Sequence, residues 1–92
     1  PYFLHVRGRF LTAVGRYHDA AEAFIQAHNI KKDFYLNTLR LGELAKITGQ
    51  RNEAFSYYEQ IINAYRQNRF RSAKDLGIAG KAYANSKLAL VM

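Results

Sequence analysis

Apolar residues in the stretch Tyr2–Val14 fall at Phe3, Leu4, Val6, Phe10, Leu11, Ala13 and Val14, a mixture of three- and four-residue steps that predicts a helix. Gly15 ends it. A second helix is expected from the residues around His18-Asp19-Ala20-Ala21, with Asp19 placing negative charge at the positive end of the helix dipole, and it runs to about Ile30. Its inner face holds Ala20, Ala23, Phe24 and Ala27, the alanines letting helix backbones approach and Phe24 filling the space between. Lys31-Lys32-Asp33 marks the next boundary, and Leu36, Leu39, Leu41, Leu44, Ala45 and Ile47 predict a third helix over Phe34–Thr48. After Gly49-Gln50-Arg51, Asn52 is the expected N-cap of a fourth helix with Ala54, Phe55, Tyr58, Ile61, Ile62 and Tyr65 as its buried stripe. That helix is expected to continue through Arg66-Gln67-Asn68-Arg69, and Ser72–Met92 to supply a fifth.

The two halves of this pattern echo each other. Gly8 and Gly42, Gly15 and Gly49, Ala20 and Ala54, Gln26 and Gln60, and Asn29 and Asn63 are all separated by 34 residues, and Asp19/Glu53 and Phe24/Tyr58 repeat in kind. A fixed period of this length signals a helical repeat array. With four residues inserted, Ala79-Gly80-Lys81-Ala82-Tyr83 aligns with Leu41-Gly42-Glu43-Leu44-Ala45 as a partial third unit.

On these residues the chain resembles the tetratricopeptide repeat family, whose unit is a pair of antiparallel helices. In the first unit Gly8 matches the family's first-helix glycine, Gly15 and Tyr17 its turn, and Ala20, Phe24 and Ala27 its second-helix pattern. The second unit keeps Leu41-Gly42, Gly49, Ala54 and Tyr58, with Ile61 in place of an alanine. Leu4 and Thr38 replace the family's tryptophan, Leu11 and Ala45 its next aromatic, and Lys32 and Arg66 its terminal proline. The resemblance implies an all-α, right-handed helical-repeat solenoid: one domain over 1–92, with units 1–34 and 35–72 and a partial unit or capping helix at 73–92. Two helix pairs plus a fifth C-terminal helix are expected.

Composition agrees with a folded domain: 92 residues, 49% hydrophobic, with one proline and six dispersed glycines. No apolar run reaches the roughly 18 residues of a membrane span. Without cysteine there is neither a disulfide framework nor a thiolate site. The start at Pro1, lacking an initiator methionine, suggests a processed product or an excised segment. The formal charge of +7 is uneven, since Arg66, Arg69, Arg71, Lys74, Lys81 and Lys87 face Asp75 alone in the last third.

Catalytic chemistry finds no convergent set. His18 and Glu22, four apart, share a helix face, but two ligands do not complete a zinc site, and no metal or cofactor is expected. Ser56, Ser72 and Ser86 lie in no nucleophile elbow, and the carboxylates are scattered, so no enzyme is read here. The resemblance instead implies a concave face lined by the first helix of each pair. Carried over by position, its partner-binding residues are Tyr2, His5 and Arg9 from the first unit, Leu36, Leu39, Arg40 and Glu43 from the second, and Lys74 and Lys81 from the third. Their positive surplus suits an acidic or carboxylate-ended peptide. In the competing reading Leu36 and Leu39 pack on a neighbour and the charges are merely solvated. Two further alternatives stay open: self-association through an apolar end at Lys74–Met92, and nucleic-acid binding by Arg66, Arg69, Arg71 and Lys74 with Tyr65 and Phe70 as stacking groups.

Overall fold

The computed structural model describes residues 1–67 and Asn85, the latter helical. Among these residues there are four α-helices and no strand: α1 (Tyr2–Ala13), α2 (Tyr17–Ile30), α3 (Tyr35–Ile47) and α4 (Arg51–Arg66). The expected fifth helix and third unit lie outside the described residues, Asn85 excepted. So does the extension of α4 to Arg69, since the described helix ends at Arg66 with Gln67 as its C-cap.

The two reversals inside the helix pairs, α1 to α2 and α3 to α4, have the same local cause. Gly15 and Gly49 adopt φ of 81° and 79°, left-handed values that L side chains take only under strain. Around Gly15, Arg16 N–H donates to Leu11 O at 2.9 Å and Gly15 N–H to Thr12 O at 3.1 Å. Gln50 N–H to Ala45 O at 2.8 Å and Gly49 N–H to Lys46 O at 3.2 Å reproduce that double closure one unit later. Two of the orphan carbonyls ending each of α1 and α3 are thereby satisfied within three residues of the helix end. This tight closure also corrects the expected cap of α4. The helix begins at Arg51, Gln50 is its N-cap, and Ala54 N–H already donates to Gln50 O at 3.0 Å, so Asn52 sits inside the first turn.

Packing follows the repeat. α1 lies on α2 and α3 on α4, while α3 also packs against α2 and touches α1. A Cβ on Gly8 would stand 2.5 Å from Phe24 Cε1, and one on Gly42 2.6 Å from Tyr58 Cε1, so in each pair a buried ring occupies the space that the glycine leaves open. Leu39, Ala45, Ala54, Tyr58 and Ile61 form a cluster within the second pair. Leu41 and Leu44 turn the other way and join Leu11, Ala20 and Phe24, which fastens the second pair to the first. Full burial of each leucine contributes on the order of 1.5–3 kcal/mol. Phe55, expected in the α4 stripe, is instead exposed: it lies about 100° around the helix from buried Ala54.

Candidate binding surface

Where α1, α2 and α3 meet, polar side chains are buried beside the apolar cluster. Asn37 Nδ2 donates to Phe24 O at 2.9 Å, which leaves its Oδ1 to accept from His5 at 3.0 Å from Nδ1. The proton of the neutral imidazole is therefore on Nδ1, and the lone pair is on Nε2. Nε2 is enclosed without a hydrogen-bond partner. The ring is held between aromatic neighbours, with centroids 4.8 Å from Phe34 and 5.7 Å from Phe24. Burial, chiefly, holds the His5 pKa below its ordinary value of 6.5; the bond to Asn37 opposes the shift, and the Arg9 and Arg40 charges add to it. Beside this pair, Thr38 approaches His28 Nδ1 at 3.5 Å and carries a second buried polar group into the seam.

The expected ligand residues divide into three groups. Tyr2 and Arg9 are exposed on α1, and Arg40 and Glu43 are partly exposed on α3, where Arg40 Nη1 donates to Glu43 Oε2 at 3.1 Å. Arg40 Nε is buried and unmatched. His5 and Leu39 are 1% and 5% exposed, so the structure moves both from the expected contact surface to the interior. Their positions explain it. His5 lies on the flank of α1 that meets α3, and Leu39 packs with Tyr58 and Ile61 of α4. Leu36 is half-buried against the same cluster. Lys74 and Lys81 lie outside the described residues, as do Arg69, Arg71 and Phe70.

Sequence reasoning passed over Asn37 and Thr38, the polar residues that join the pairs. The available signal was an asparagine and a threonine inside the leucine stripe of α3, flanked by Leu36 and Leu39. His18 and Glu22 approach to 3.6 Å on an exposed face. Among the described residues no three His, Cys, Asp or Glu gather in a group that could hold a metal. No described helix is long and apolar enough to cross a membrane. No family model, curated protein or solved structure matches the chain.

Proposed function

We propose that the chain is a non-catalytic interaction module of tetratricopeptide-repeat type that holds an acidic peptide or helix of a partner protein on the surface shared by α1 and α3. The observation that carries this reading is a pair of cations, exposed Arg9 on α1 and partly exposed Arg40 on α3, carried by two helices that the buried His5–Asn37 hydrogen bond joins. Arg9 of α1 and Arg40 of α3 both act on His5, which Asn37 locks in place. Cations held on rigid elements favour an anionic ligand, because little ordering remains to be done on binding. A ligand carboxylate accepts from Arg9 and competes with Glu43 for Arg40, while exposed Tyr2 supplies apolar contact. His5 and Leu39 support this surface from beneath. The paired Gly8/Phe24 and Gly42/Tyr58 contacts favour the repeat assignment, since they occur one period apart.

The test is fluorescence polarisation with a labelled Asp/Glu-rich peptide bearing a free carboxylate and a lysine-rich control. The acidic peptide is expected to bind preferentially and to weaken as ionic strength rises. Joint reversal by Arg9→Glu and Arg40→Glu is expected to lower affinity about tenfold or more, equal to ~1.4 kcal/mol. Unchanged affinity in a double variant of normal helicity sinks the assignment.

A further inference from the structure

Positions one repeat apart share a helical register, so α3 shows what the matching positions of α1 are shaped to do. On α3 the face turned to the preceding pair is formed by Asn37, Leu41 and Leu44: Asn37 bonds the Phe24 carbonyl, and both leucines pack with Ala20 and Phe24 of α2. All three residues are at most 3% exposed. Thirty-four residues earlier those positions are Phe3, Arg7 and Phe10 of α1, and Phe3 and Phe10 are 76% and 65% exposed. Val6 and Val14 are exposed on the same flank and extend a stripe with steps of three and four residues. Isolated apolar residues on a surface are ordinary; two phenylalanines at positions that the next repeat buries, with two exposed valines extending their row, are not.

We infer that this outer flank of α1 is a docking surface for an amphipathic partner helix that has a face of small apolar residues and a carboxylate directed at Arg7. α2 is the template for the occupant, because it covers the equivalent face of α3 with Ala20, Ala21 and Phe24. Small side chains let the helices approach closely enough for the phenylalanines to be enclosed. The carboxylate follows from charge. Arg7 stands where α3 has buried Leu41, so docking takes its guanidinium out of water and demands an acceptor. α1 itself carries Arg7 and Arg9 and no acidic residue. A second copy joined α1 to α1 brings these cations together, whereas an acidic helix neutralises them.

The probe is a synthetic helix with the α2 sequence, residues 17–30, stapled and labelled; its Asp19 and Glu22 flank the alanine face. A neutral version carries Asp19→Asn and Glu22→Gln. The full chain is expected to bind the acidic probe about fivefold or more tightly than the neutral one, and Phe10→Ser to weaken both about tenfold. Arg7→Leu is expected to abolish the preference between probes. Melting curves establish that these surface variants remain folded. The inference is overturned by absence of binding at millimolar probe, or by unchanged affinity in Phe3→Ser and Phe10→Ser. Loss of binding in Arg40→Glu also overturns it, since that assigns the probe to the surface shared with α3. Sedimentation showing a dimer that Phe10→Ser dissolves assigns the flank to a second copy instead.

Discussion

At the scale of single residues, repetition and individuality have different physical roots. Gly8 is required by the Phe24 ring, so Gly8→Ala must move a buried aromatic by several tenths of an ångström. The overpacking costs roughly 1–3 kcal/mol, against a helix-propensity gain of about 0.5–1 kcal/mol. A net loss in urea denaturation, relieved in Gly8→Ala/Phe24→Leu, is the expected result. Gly15→Ala meets nothing within 4 Å, yet its φ of 81° alone is expected to cost about 1 kcal/mol. His5 is individual, because its repeat partner is Leu39. With its folded pKa lowered, the unfolded chain binds the proton first as pH falls below 6.5. Stability is therefore full above the unfolded value and declines below it until the folded pKa is reached, by at most about 1.4 kcal/mol per pH unit. His28, also lowered by burial and by Lys32, acts in the same direction. Urea midpoints measured between pH 7.5 and about pH 5, above the main carboxylate range, are expected to fall, and less so in His5→Gln.

At the scale of helices, type and order were legible in the sequence, and of the starts the cap of α4 was not. Apolar periodicity marked α1 through α4, and the α2 face of Ala20, Ala23, Phe24 and Ala27 is buried as its spacing implies. The N-cap of α4 was misread for a physical reason. Asn52 has the better capping chemistry, but the left-handed Gly49 restarts the helix before Asn52 is reached, and Gln50 takes the cap without a side-chain hydrogen bond. The same applies to Arg16 ahead of α2. Geometry of the turn outweighed side-chain preference. Because Gln50 is exposed and its cap unmade, Gln50→Asp is expected to stabilise the protein by about 0.5–2 kcal/mol, raising the melting temperature measured by circular dichroism. Asn52→Ala, by contrast, is expected to change it by no more than about 0.5 kcal/mol.

At the scale of the whole described structure, the two helix pairs differ from the seam between them. Within each pair a glycine admits a ring; across the seam, Leu41 and Leu44 are joined by the Phe24–Asn37–His5 bridge. The repeat foretold the first arrangement because both of its members recur. It concealed the second, since Asn37 answers Phe3 and His5 answers Leu39, pairs that share a register and not a chemistry. The exposure of α1 was hidden for a related reason: periodicity reports which residues share a face, and not whether another helix covers it. If the bridge couples the pairs, its members must be energetically linked, and a double-mutant cycle isolates that link. Asn37→Ala strands His5 Nδ1–H and removes one of the bonds to the Phe24 carbonyl, so it is expected to cost about 1–3 kcal/mol, and His5→Ala to open a cavity besides. Together they are expected to cost less than their sum by about 0.5–1.5 kcal/mol, with faster amide exchange in α1 than in α4 of the Asn37→Ala protein. Strict additivity and uniform exchange acceleration would instead make the seam a purely apolar contact in which the polar pair only fills space.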